Sequence, residues 1–370
     1  MQDTVQNLLA QADIQIDGDR SWDIHVHNPQ FYHRVLTAGS LGLGESYMDG
    51  WWDCQALDQC LSKMLRTGLP EKVIPLREKI HVLVAKVINQ QRRARAFEVG
   101  ERHYDIGNDL YEKMLDTRMV YSCGYWKQAA TLDQAQEAKL DLICRKVQLQ
   151  PGMRVLDIGC GWGSFAKYAA EQYQAEVVGV TVSKEQQELA NRLCRGLPVD
   201  IILQDYRGLR PETNGRFDAI VSVGMFEHVG YKNYPDFFRV VDACLQSEGL
   251  FLLHTMGVNK TVYSGDPWIN TYIFPGGTLP SMKQLGEATD GLLMLEDWHS
   301  FGADYVRTLL AWRDNFRASW HVLRERYDER FRRMWEYYLS SFAAGFEARR
   351  IQLWQIVLSK NRPPGYQSVR

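Results

Sequence analysis

The sequence has no apolar run approaching the roughly 18 residues that a membrane-spanning helix needs. Its opening segment MQDTVQNLLAQAD is acidic where a secretory leader would be basic. A cytoplasmic address is therefore expected. Paired cysteine spacing is missing too: Cys54, Cys60, Cys123, Cys144, Cys160, Cys194 and Cys244 are odd in number and scattered, with no C-x-x-C. That argues against a disulfide framework and a structural zinc site, so reduced thiols and no metal are expected. Internal repeats and low-complexity tracts are absent, which removes solenoids and disordered polymers. What remains is a chain of 370 residues, 45% hydrophobic and 24% charged, enough for a large core with a smaller domain beside it.

Net charge is nearly absent as well, at −2, but its distribution is uneven. Residues 71–103 carry 8 basic against 4 acidic groups, and residues 307–370 carry 13 against 6, set against an acidic body. Two cationic segments suggest an anionic partner surface, with solvated helix faces as the ordinary alternative. Leu76, Ile80, Leu83, Val84, Val87 and Ile88 form one apolar stripe at helical spacing, followed by Arg92, Arg93 and Arg95. Such a helix can lie on an anionic membrane surface or pack on its own domain. No recognised nucleic-acid-binding motif is present, which makes nucleic acid the less expected anionic partner.

From Pro151 onward, apolar runs alternate with helical patterns. Strands are predicted at Met153–Ile158, Glu176–Val182, Val199–Leu203, Phe217–Val223 and Gly249–His254, with helices between them. A further strand after Leu293, two long helices over about 304–321 and 326–346, and a last strand at Ile351–Leu358 complete the pattern. The fold class is α/β: a doubly wound Rossmann-like domain with a smaller N-terminal, mainly helical α+β domain. The expected division is 1–91, a basic linker at 92–103, and a catalytic domain at 104–370.

Asp157-Ile158-Gly159-Cys160-Gly161-Trp162-Gly163 places glycines directly after a strand and at the mouth of a helix. The spacing is G-x-G-x-G, whereas a dinucleotide pyrophosphate loop is G-x-G-x-x-G. Trp162 would crowd a pyrophosphate, and the second strand ends in hydroxyls where a dinucleotide fold places an acidic residue for the ribose. A nucleoside ligand without phosphates, such as S-adenosylmethionine, fits better.

With VLDIGCGWG stand GVTVSKEQQ, SVGMFEHVG, YSCGYW, HYDIGNDLY and FGADY. Together they resemble the cyclopropane-fatty-acyl-phospholipid synthases, bacterial S-adenosylmethionine-dependent enzymes related to the mycolic acid cyclopropane synthases. The resemblance runs from about Trp22 to Lys360 and includes SLGLGESYMDGWW near the N-terminus. It implies methylene transfer to the cis double bond of an unsaturated phospholipid acyl chain. It also implies a homodimer bound peripherally to the inner face of the cytoplasmic membrane.

Residue by residue, the resemblance implies that Tyr121, Ser122, Gly159 and Gly161 line the S-adenosylmethionine pocket. Thr181 and Gln186 would meet the ribose, and Gln204 and Asp205 the adenine. Ser183 also reads as a helix N-cap with Gln186 at its third position, so a capping role for that pair stays open. The family holds a bicarbonate ion in a small polar cage, which here would comprise Cys123, Glu227, His254 and Tyr305. Bicarbonate would remove the methyl proton, with Glu227 or His254 as relay or, alternatively, as the direct base. Cys123 would act through its backbone amide. Some members carry a cysteine where this chain has Phe342, so a covalent cysteine mechanism is not expected.

The chemistry sets two demands. A carbocation formed on an alkene must be kept from water, and a base must reach a carbon acid. Three functions compete: the cyclopropane synthase, a methyltransferase that stops at methylation, and a non-catalytic binding protein on the same fold.

Overall fold

The computed structural model describes residues 1–73, 107–360 and 365–370. The stripe from Leu76 to Ile88, the cluster Arg92, Arg93 and Arg95, and the linker 92–103 lie outside the described residues. Two compact units are present. One comprises 1–73, 263–276 and 305–351, the other 107–262, 277–304, 352–360 and 365–370. They are interleaved along the chain, whereas the expected division is linear. Among the described residues no helix is long and apolar enough to cross a membrane.

The second unit is built on a seven-stranded sheet. Its strands are β1 (Arg154–Ile158), β2 (Glu176–Thr181), β3 (Val199–Leu203), β4 (Phe217–Val223), β5 (Leu245–Gly257), β6 (Met294–Ser300) and β7 (Gln352–Ser359), in spatial order 3-2-1-4-5-7-6. The first five run parallel, in register through pairs such as Leu156 with Val178 and Leu156 with Ile220. β7 inserts antiparallel between β5 and β6. Parallel strands are apolar on both faces because helices cover both. One face buries Leu156, Ile158, Phe226 and Phe237, and the other buries Val155, Ile143, Phe165 and Leu252. The strand order reverses between β1 and β4, which opens a crevice at their C-terminal ends. The expected strands are all present. β5 extends beyond Gly249–His254 because its partner β7 pairs with it as far as Gly257.

The first unit is mainly helical, with one short antiparallel ladder between His25–Val26 and Trp52–Asp53. Its helix Gln30–Met48 bends at Gly39, where φ is 55° and ψ −131°. A Cβ on Gly44 would strike the indole of Trp268, which is fully buried. Helix Glu329–Glu347 packs on Leu57–Arg66 and on Gln30–Met48, which draws this late segment into the unit. Ion pairs fix its surface: Arg313–Asp58, Arg317–Glu336, Arg330–Asp49, Arg332–Glu329, Arg333–Asp53 and Arg350–Glu71. Four of these partners, Asp58, Asp49, Asp53 and Glu71, lie outside 307–370, so part of that segment's positive excess is already matched.

Candidate active site

The site is built at the C-terminal ends of the strands of the second unit. After β1 the chain turns through Gly159, Gly161 and Gly163, all with positive φ. Gly161 has open space around it, so its φ of +55° is the reason for glycine there; at Gly159 a Cβ would lie 2.5 Å from Met225 Cγ. The Gly159 and Cys160 amides donate to the Val180 carbonyl at 2.9 and 3.1 Å, which ties the loop to β2. Helix Ser164–Tyr173 follows.

Beside this loop a group of rings forms. Tyr121 lies 5.1 Å from Tyr111, and Tyr111 lies 4.9 Å from Trp162. The Trp162 Nε1–H donates to Asn108 Oδ1 at 3.1 Å. Asn108 and Tyr111 belong to the HYDIGNDLY segment, so three of the sequence motifs meet here.

At the end of β2, the Thr181 hydroxyl donates to Gln186 Oε1 at 2.9 Å, and both residues are buried. Ser183 caps the next helix by accepting from the Gln186 amide at 3.2 Å. The capping role is therefore present, and the Gln186 side chain is turned inward to Thr181. After β3, the Gln204 amide donates to the Thr181 carbonyl at 2.9 Å. The Asp205 carboxylate accepts from the Arg207 guanidinium at 2.8 and 2.7 Å. One Asp205 oxygen takes both the Arg207 amide and Nε–H, leaving the other with capacity for a further donor.

Ser122 is held from a helix the sequence reading did not identify, Leu132–Lys146. Gln136 Nε2 donates to the Ser122 carbonyl at 2.8 Å, and Lys139 Nζ to the Ser122 hydroxyl at 2.9 Å. Lys139 is wholly buried. Burial lowers its pKa to about 8, against the opposing pull of Asp116, Cys123 and Asp157. Asp157, at the end of β1, is itself pushed up to about 7 by burial, with Lys139 acting the other way. Cys123 is buried, and its thiol donates to the Gly124 carbonyl at 3.1 Å.

Glu227 and His254 close the site from β4 and β5. Glu227 sits on the short 3-10 turn Phe226–His228, and its Oε1 accepts the Met256 amide at 2.7 Å. Its Oε2 is buried with no hydrogen-bond partner among the described residues. Burial raises the Glu227 carboxyl to about 7. His254 pairs with Val223 across the β4–β5 ladder. Its Nδ1 faces Gln355 Nε2 at 3.2 Å, and its Nε2 is buried with no partner among the described residues. Burial holds its pKa well below the ordinary histidine value, reinforced by Lys139, Lys146 and His299. A Cβ on Gly224, after β4, would lie 3.7 Å from Ser122 Cβ, which places the Ser122–Cys123 segment beside this strand end.

Tyr305 is different. It is where the chain enters the other unit, and it is buried there with its ring 4.7 Å from Phe346 and 6.0 Å from Trp312. Phe342, also in that unit, packs 5.2 Å from Tyr338.

The family model described as mycolic acid cyclopropane synthetase matches residues 91–356. The cyclopropane-fatty-acyl-phospholipid synthase of Escherichia coli is 54% identical, over 98% of this chain and 94% of its own. The chain belongs to the cyclopropane synthase family. A tuberculostearic acid methyltransferase of Mycobacterium tuberculosis is 32% identical over 93% of this chain and 85% of its own. A solved cyclopropane synthase from Mycobacterium tuberculosis superposes with a TM-score of 0.66 at 31% identity, covering 71% of this chain and 98% of that one. The fold is that of the S-adenosylmethionine-dependent methyltransferases, and this cyclopropane synthase family member is an enzyme of that class.

For this member of the family, Gln136, Lys139 and Gln355 touch the candidate site residues without belonging to any of the motifs, while Asn108 and Tyr111 lie in HYDIGNDLY but were given no role from the sequence. One signal was available. Gln136, Lys139, Ile143 and Lys146 recur at helical spacing, so two lysines and an amide share one stripe with apolar residues. Read alone, such polar groups suggest an exposed face; here the stripe is buried.

Proposed function

We propose that this protein is a cyclopropane-fatty-acyl-phospholipid synthase. It would use S-adenosylmethionine to add a methylene across the cis double bond of an unsaturated phospholipid acyl chain. The observation that carries the reading is a pair of buried polar atoms with no partner among the described residues, Glu227 Oε2 just after β4 and His254 Nε2 on the adjacent β5. Orphaned polar atoms of this kind cost stability and are kept where a ligand or reaction needs them.

The donor set fits both small molecules. The glycine loop, Tyr121, Ser122, Thr181, Gln186, Gln204 and Asp205 would hold S-adenosylmethionine, which supplies an electrophilic methyl group. Cys123, Glu227 and His254 would hold bicarbonate, which when bound supplies a base in a dry site. This chain's own groups suit that task. A carboxyl near neutrality can hold or release a proton at Oε2, and the neutral imidazole keeps positive charge out of a site where a cation must form on the acyl chain. The rings of Tyr111, Tyr121 and Trp162 offer faces to a sulfonium and exclude water.

Surface binding at the inner face of the membrane, as a homodimer, belongs to the same proposal. The excess of cations in 71–103 supports it. The test is product analysis after incubation with S-adenosylmethionine and vesicles of unsaturated phospholipid. Gain of one methylene mass per double bond with loss of the olefin signal is expected. A methyl branch with the olefin retained would replace this reading with simple methylation, the chemistry named for the tuberculostearic acid relative.

A further inference from the structure

His254 and Gln355 stand directly opposite one another in the antiparallel β5–β7 ladder, and both are sealed from solvent. The Gln355 amide nitrogen lies 3.2 Å from His254 Nδ1. An amide nitrogen can only donate, so Nδ1 accepts and the single proton of the neutral ring resides on Nε2. A second ring proton is opposed by burial and by the Lys139, Lys146 and His299 side chains. Nε2–H is therefore a buried donor with no partner among the described residues. Reversing the Gln355 amide would put a carbonyl at Nδ1, move the proton there and leave a lone pair on Nε2.

We propose that Gln355 is a positioning residue that holds His254 in its Nε2–H tautomer, so that the ring offers a hydrogen-bond donor to an oxyanion. The inference rests on the reading of His254 as part of the reaction site. It also divides the chemistry. With Nδ1 occupied by Gln355 and Nε2 protonated, His254 has no lone pair for a carbon-bound proton. The base is then Glu227 or a bound oxyanion, and His254 orients and stabilises it. A fixed second partner on a functional imidazole is the device by which proteins set tautomer and ring angle, and its removal typically costs about 10–100-fold.

The experiment uses the full chain labelled with nitrogen-15 in histidine, with the His254 signal identified by its loss in His254→Asn. Two-bond nitrogen–proton correlations in the unsubstituted protein should place the proton on Nε2 and the lone pair on Nδ1. Gln355→Leu, which fills similar volume without a donor, should abolish that single pattern. It should also lower turnover on unsaturated phospholipid vesicles about tenfold or more, with S-adenosylhomocysteine affinity unchanged. Gln355→Glu, close to isosteric, should move the proton to Nδ1. A proton on Nδ1 in the unsubstituted protein, or an unchanged tautomer in Gln355→Glu, overturns the inference. A shifted tautomer with full turnover would instead overturn the placement of His254 in the reaction.

Discussion

Replacing Glu227 by Gln should make the protein more stable at alkaline pH while removing its activity. The carboxyl is raised from 4.5 to about 7 by burial. The native state therefore holds this proton more tightly than the unfolded chain does. Between those two values the native state binds more protons, so stability falls as pH rises. The full span corresponds to about 3 kcal/mol of lost stability once the group is ionised in both states. Glutamine cannot ionise and should not show that loss. It still accepts the Met256 amide through Oε1, and it puts an unpaired Nε2–H where Oε2 was. That new donor costs about 1–3 kcal/mol at every pH. Comparing the two proteins at pH 5 and at pH 8 cancels the constant cost and leaves a difference of about 2–3 kcal/mol. In thermal melts this corresponds to roughly 3–4 °C of relative gain for the variant at the higher pH. Parallel Tm–pH curves for the two proteins would show that Glu227 does not titrate near neutrality and would refute the reasoning. In the same samples, vesicle turnover should be lost while S-adenosylhomocysteine still binds; near-normal turnover would remove Glu227 from the reaction.

Other perturbations follow from single contacts. Lys139→Met removes the ammonium that holds the Ser122 hydroxyl and faces Asp116 and Asp157, and titration calorimetry should show S-adenosylhomocysteine affinity falling about tenfold or more. Unchanged affinity would reduce Lys139 to a packing residue. Gly44→Ala drives a methyl group into the Trp268 ring and should lower stability by about 1–3 kcal/mol, read as a reduced denaturation midpoint. Arg92, Arg93 and Arg95 changed together to Gln should weaken sedimentation with anionic vesicles and leave cofactor binding intact. Equal sedimentation would take surface binding away from this cluster.

The central sheet was legible in the sequence because parallel strands buried on both faces appear as short, mainly apolar runs, as at Val155–Ile158 and Phe217–Val223. The glycine loop was legible for a related reason: three positive-φ turns demand glycine in the sequence itself. Helix Leu132–Lys146 was not, because its inward face carries Gln136, Lys139 and Lys146, and polar residues at helical spacing suggest solvent. Gln355 was hidden in another way. Its partner is 101 positions away, and only the β5–β7 pairing brings the two together. The interleaving of the units was also invisible, since each amphipathic helix over 305–347 shows that it packs on something without showing on what. Charge was misleading by segment: the excess over 307–370 is real, but Arg313, Arg317, Arg330, Arg332, Arg333 and Arg350 each meet a carboxylate.

The place of β7 has a consequence for when the protein becomes competent. Among the described residues β6 pairs with no strand but β7, and β7 follows the other strands of the sheet in sequence yet sits between two of them. Until it arrives, β5 has an open edge, β6 has no neighbour, and the imidazole of His254 lacks the amide that orients it. Strands β1 to β3, which carry candidate nucleoside-binding residues, are made early, and this partner is made late. Nascent or C-terminally clipped chains are thus expected to bind nucleoside without turning it over, a state detectable as S-adenosylhomocysteine binding without product.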